Sequence, residues 1–212
     1  MRAISTAALT LAAALIMGAV APETSTPAQA APARAAILLI ADPGLSDPNF
    51  RETVVLVGRH DRIAGPIGVI LNRPLPLTLA RTFPENKSLA ETPDRVFFGG
   101  PVALQALFYI FRAAKPPDDA IEVGDGVYLD WDGERLRELL ARETPVEGLR
   151  VYAGHSAWAP GQLEREVARG DWKSARPEER IIFSTSPETV WTELDRRARA
   201  TTARLESLPG TH

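Results

Sequence analysis

A chain of 212 residues with 45% hydrophobic side chains has enough apolar material for a full core, which excludes a disordered protein. Its 24 Lys and Arg are scattered against 27 Asp and Glu, for a net charge of −3, so neither a basic nucleic-acid face nor an acidic tail is present. The absence of cysteine excludes disulfides, thiol nucleophiles and Cys-ligated zinc. The histidines, His60, His155 and the terminal His212, have no HxxxH or HxxE spacing, so no metal or cofactor is expected.

Residues 1–30 carry only Arg2 and Glu23 as charges, and Ala3 to Ala21 is almost wholly apolar or small. Arg2 supplies a minimal positive start, Leu9 to Val20 an apolar stretch of signal length, and Ala28-Gln29-Ala30 small residues at the positions a signal peptidase reads. The expectation is a signal peptide at 1–30 and an exported, periplasmic domain at 31–212 with no stable membrane span after cleavage. The competing addresses are an uncleaved anchor, for which Ala3 to Ala21 is alanine-rich and poorly flanked by charge, and a cytoplasmic protein read from a mis-assigned start.

After the leader, the apolar run AILLIAD from Ala36 predicts a strand ended by Pro43 and Gly44, and Asp47-Pro48-Asn49-Phe50 a tight turn. Thr53 to Gly58 and Ile67 to Leu71 predict a hairpin with His60 at its tip, closed by Asn72-Arg73-Pro74. There His60 is expected to be a turn histidine bonded to backbone or solvent. The proline-rich stretch 74–95 predicts a surface connection with at most a short helix near Leu79. Val96 to Phe98 and Leu107 to Phe111 predict strands around the sharp turn Gly99-Gly100-Pro101, and Ile121 to Val123 and Val127 to Trp131 a second hairpin around Gly124-Asp125-Gly126.

Asp132 is the expected cap of a helix carrying Leu136, Leu139 and Leu140 on one face and ending before Pro145. Leu149 to Ala153 predicts a strand entering a glycine turn at Gly154, followed by a helix from Pro160 to Gly170 with Leu163 and Val167 on one face. Trp158 and Trp172 bracket that helix as core anchors, Gln162 is expected to satisfy a backbone donor near its start, and Glu164 and Glu166 to form a solvated face. Ile181 to Phe183 predicts a strand and Ser186-Pro187-Glu188 a final helix that buries Trp191, with a loose tail beyond Thr201.

In this order the segments GPIGVILNRP (65–74), FFGGPV (97–102), VGDGVYL (123–129), AGHSAWAPGQLEREV (153–167) and DW (171–172) resemble the YqgE/AlgH family, UPF0301, from about Ile37 to Trp191. The resemblance implies a single α+β domain, a mixed and strongly bent sheet forming a pseudo-barrel with helices packed outside, and no established enzymatic activity. The matching positions are Asn72, Gly99, Gly100, Pro101, Gly154, Trp158, Gly161, Gln162 and Glu164, with no role attached to them. Two features depart from the family: the export-like leader, since family members look cytoplasmic, and His155, where the pattern more often has an aromatic such as tyrosine.

The expected function is a non-enzymatic binding or regulatory module whose partner, protein or small molecule, is unknown and is not nucleic acid. The runner-up is a small-ligand or hydrolytic enzyme with Ser156 as nucleophile, His155 or His60 as base and Asp42 or Asp61 as the orienting acid. Against it, His155 and Ser156 are adjacent on an extended segment and face opposite ways, and no GxSxG elbow occurs. Gly99-Gly100 as an anion cradle lacks the rest of a phosphate-loop pattern.

Overall fold

The computed structural model describes residues 36–124 and 126–206. The expected signal segment and Asp125 of the second hairpin's turn lie outside the described residues. Among the described residues ten strands build one curled sheet. In chain order they are β1 (Ile37–Ala41), β2 (Val54–Gly58), β3 (Ile67–Ile70), β4 (Pro74–Thr78), β5 (Arg95–Phe98), β6 (Val102–Arg112), β7 (Ile121–Gly124), β8 (Val127–Asp130), β9 (Leu149–Ala157) and β10 (Trp172–Ala175). Along the sheet the order is β10-β1-β2-β3-β9-β6-β8-β7, with β5 beside β9 and β4 beside β5. Among the described residues only the β5–β9 pairing is parallel, so the sheet is mixed, as expected.

The bend follows from β9, which pairs with three strands. Its Tyr152 and Ala153 lie against Phe97 and Phe98 of β5, and its Ser156 and Ala157 against Gly68 and Ile67 of β3, while β6 runs along its other side. Gly154 stands at the switch with φ +70°. Gly100, at φ +149°, approaches so closely that a Cβ on it would lie 2.4 Å from the His155 carbonyl, and one on Gly154 would lie 2.6 Å from the Gly100 carbonyl. The FGGPV and AGHS segments are thus one feature, two backbones in contact that leave no room for side chains. The strand accordingly runs through Gly154 to Ala157, where the sequence suggested a turn.

Strand periodicity supplies both faces. Leu38, Ile40, Val54, Leu56 and Val69 enter one core, while their neighbours Leu39, Ala41, Val55, Val57 and Ile70 enter a second that holds Trp158, Leu163 and Trp172. In β6 the same alternation sends Phe108 and Ile110 to the first core and Tyr109 and Phe111 to a third, closed by Leu136, Leu139 and Leu140.

Among the described residues the helices are α1 (Leu79–Thr82), α2 (Gly133–Leu140), α3 (Gln162–Arg169), α4 (Glu179–Phe183) and α5 (Val190–Glu206). Asp132 caps α2 as expected, accepting the Arg135 N–H at 2.7 Å. Several expectations are corrected. Residues 74–95 contain strand β4, whose prolines are tolerated because it lies at the sheet margin with an irregular register against β5. Ile181 to Phe183 is helical, since a single turn delivers both Ile181 and Ile182 into the core where an extended segment would turn one of them out. Helix α3 starts at Gln162 behind Gly161, which sits at φ +74°, so Pro160 belongs to the preceding turn, and Val167 is 37% exposed. Helix α5 continues past Thr201 to Glu206, and its Trp191 is partly buried with the indole N–H on the Ala41 carbonyl at 2.9 Å.

Candidate functional site

Most of the motif residues build the seam between strands and helix α3. Asn72 accepts the Val54 N–H and donates to the Glu52 carbonyl, both at 2.9 Å, which ties the exit of β3 to the β1–β2 connection. The Gly99 N–H is taken by the Ala153 carbonyl, and its own carbonyl accepts from the Ile70 N–H and the Ser156 hydroxyl, so the Gly99 amide is not free for an anion. Pro101 follows it, exposed. Gln162 accepts the Ala159 N–H at 3.1 Å through its side-chain oxygen, which is the backbone service expected of it.

Glu166 is the residue that sequence reasoning misplaced. Instead of sharing a solvated face with Glu164, which pairs with Arg59 at 2.6 Å, it turns inward and accepts the indole N–H of Trp158 at 2.9 Å and of Trp172 at 3.0 Å on one oxygen. Its other oxygen accepts the Gln162 amide at 2.9 Å. Burial alone would raise the carboxyl's pKa, but the bonds from Gln162, Trp172 and Trp158, with Arg169 nearby, outweigh it and hold the group below its ordinary range. The signal available was the spacing: Trp158, Gln162 and Glu166 recur every fourth residue.

A cleft of about 630 Å³ opens between the β2–β3 connection, β6, β9 and the junction of β8 with α2. It falls in the size range of small-molecule sites. His60 and His155, far apart in sequence, both line it. Between them runs a chain of rings: His60 meets Trp131 edge-on at 5.1 Å, Trp131 lies 5.6 Å from Phe108, and Phe108 lies 4.5 Å from His155. His60 donates through Nε2 to the Asp119 carbonyl at 2.9 Å and accepts the Arg62 N–H at Nδ1, the pattern of a neutral, backbone-anchored turn histidine. Burial pushes the His155 imidazole below its ordinary pKa, and its Nδ1 is buried without a hydrogen-bond partner.

The polar wall is Asp130 with Arg135. Asp130, 3% exposed, accepts the Trp131 and Asp132 N–H groups on one oxygen and pairs with Arg135 on the other, and Arg135 also donates to the Asp118 carbonyl at 3.1 Å. Tyr109 donates to the Asp132 carbonyl at 2.8 Å, and burial followed by the Asp130 charge raises its phenol far above the ordinary range. Nothing in the sequence marked Phe108, Trp131, Asp130 or Arg135 as site residues, because they meet only once β6, β8 and α2 are placed.

The hydrolase constellation does not assemble. Ser156 is fully buried with its hydroxyl on the Gly99 carbonyl at 3.1 Å and does not line the cleft that His155 faces. Asp42 sits near Lys173 at 3.4 Å, and neither it nor Asp61 lines the cleft. Among the described residues no three His, Asp or Glu side chains gather for a metal ion, and no helix is long and apolar enough to cross a membrane.

Fold and seam together define a bent-sheet α+β protein whose glycine motifs hold two backbones in contact. The AlgH-like family model matches residues 38–203, and the chain belongs to that family. It is 38% identical over 182 residues to a UPF0301 protein of Streptomyces avermitilis, covering 81% of this chain and 90% of the relative. It is 37% identical over 160 residues to one of Xanthomonas campestris pv. campestris, covering 73% and 83%. The solution structure of the AlgH protein from Pseudomonas aeruginosa matches with a TM-score of 0.63 at 25% identity, covering 87% of this chain and 99% of that one. The crystal structure of protein DIP2367 from Corynebacterium diphtheriae matches with a TM-score of 0.63 at 25% identity, covering 77% and 86%.

Proposed function

We propose that the chain is a non-enzymatic binding module whose ligand site is the cleft between His60 and His155. The observation that carries this reading is the make-up of the cleft wall: a row of rings beside charged side chains, with the Ser156 hydroxyl engaged elsewhere. Such a wall can hold and orient a ligand but offers no nucleophile beside a base. A regulatory role would then work through ligand occupancy, since the balanced surface charge gives no support to direct DNA binding. The test is a thermal-shift screen of small molecules. A hit should raise the melting temperature of the wild type but not of Trp131→Ala, and should still act on Ser156→Ala. A hydrolytic activity lost together in His60→Ala, His155→Ala and Ser156→Ala would overturn the reading.

The leader supports a proposed address as well: export, cleavage after Ala30 and a mature periplasmic chain beginning at Ala31. N-terminal sequencing from fractionated cells decides it. An intact leader in the soluble cytoplasm would refute export.

A further inference from the structure

The charges around the cleft do not balance. Four aspartates line it, Asp118, Asp119, Asp130 and Asp132, against two arginines, Arg62 and Arg135. Both arginines are already committed, Arg62 to Asp119 at 2.8 Å and Arg135 to Asp130. The Asp132 carboxylate caps α2 by accepting a backbone N–H, and Asp118 makes no ion pair among the described residues. The imidazoles do not restore the balance, because His60 is bonded as a neutral ring and burial disfavours a proton on His155. Aromatic faces are themselves negative, so the chain of Trp131 and Phe108 adds to the same sign of field.

Resting on the cleft being a ligand site, we propose that its ligand is a small organic cation, an alkylammonium or quaternary ammonium group seated against Trp131 and Phe108 with its charge toward Asp118 and Asp132. An anion would need an arginine that is not already paired. A neutral apolar ligand would cover charged groups and compensate none of them. A bare metal ion would need carboxylates that converge, and these do not.

Titration calorimetry on the full chain with three probes of one shape tests this: choline, its uncharged carbon isostere 3,3-dimethylbutan-1-ol, and the anion 3,3-dimethylbutanoate. Choline is expected to bind about tenfold more tightly than the alcohol, as a desolvated cation over aromatic faces should, and the anion not at all. Asp118→Asn changes an exposed residue and leaves the fold alone; it should weaken choline by about threefold or more and leave the alcohol unchanged, and added salt should do the same. If the alcohol or the anion binds as well as choline, the ligand class is wrong while the cleft remains a site. If choline binding is indifferent to both Asp118→Asn and Trp131→Leu, the cation sits elsewhere and the proposal falls. If none of the three binds the folded protein at millimolar concentration, the proposal and the cleft reading fall together.

Discussion

Replacing Glu166 by alanine tests the seam most directly. The carboxylate receives two indole N–H groups at 2.9 and 3.0 Å, from Trp158 and Trp172, whose side chains are only 6% and 4% exposed. Neither donor regains water when the acceptor is removed. A hydrogen bond to a charged acceptor contributes about 1.5 to 3 kcal/mol, and the lower end applies because Glu166 is itself partly exposed. The Gln162 amide, also partly exposed, resolvates and adds little. The expected cost of Glu166→Ala is therefore about 3 kcal/mol, and Glu166→Gln, which keeps one acceptor, should cost roughly half.

The sign of the pH dependence follows from the depressed carboxyl. A group whose folded pKa lies below its unfolded value, here 4.5, gives stability that is fully present above that value and lost as pH falls through the folded pKa. The wild type should thus lose more stability than Glu166→Gln as the solution is acidified below about pH 5. Urea unfolding followed by circular dichroism avoids the altered indole fluorescence. A difference within about 0.5 kcal/mol between wild type and Glu166→Ala, as at ordinary surface sites, would refute the hub.

Two further pairs of substitutions probe the frame. Gly100→Ala should fail to fold or lose several kcal/mol, on the order of 3 or more, because its Cβ would stand 2.4 Å from backbone that cannot move without displacing β9, whereas Ala103→Gly, which relieves a φ of +48°, should be neutral or slightly stabilising; paired thermal melts check both. Trp191→Ala should cost about 3 kcal/mol by undocking α5 from β1, and Trp191→Phe, which keeps the ring but not the bond to Ala41, only about 1 kcal/mol, as chemical denaturation would show.

What could be read from the sequence divides by range. Strands β1, β2, β3 and β8 follow from short apolar runs bounded by turn residues, and the Asp132 cap and the opposed faces of His155 and Ser156 from local capping and strand geometry, none of which needs a partner to be visible. Strand β4 and helix α4 were misread because tertiary placement overrode propensity: prolines at an irregular margin, and two isoleucines on one helical turn facing a core. Glu166 was misread because an i, i+2 rule for Glu164 and Glu166 says they diverge but not which one faces the protein. Trp158 and Trp172, recognised as anchors, carried the missing half of that answer in their indole N–H groups, each of which requires an acceptor once buried.

The same division separates family from ligand. Asn72, Gly99, Gly100, Gly154, Trp158 and Gln162, the residues by which the chain is recognised, are engaged in backbone contact, strand ties and the Glu166 hub, all of which serve the bend of the sheet. The cleft is lined mostly by others, His60, Phe108, Trp131, Asp130 and Arg135 among them, and of its lining only Ile67 and His155 fall within the family segments. Motif identity in this fold therefore specifies how the strands meet, while on the proposed reading the ring chain and the surplus of carboxylates beside it would set what is held there. A relative with the same seam and an uncharged wall in place of Asp118 and Asp132 would keep the fold and, on the electrostatic argument, lose its preference for cations.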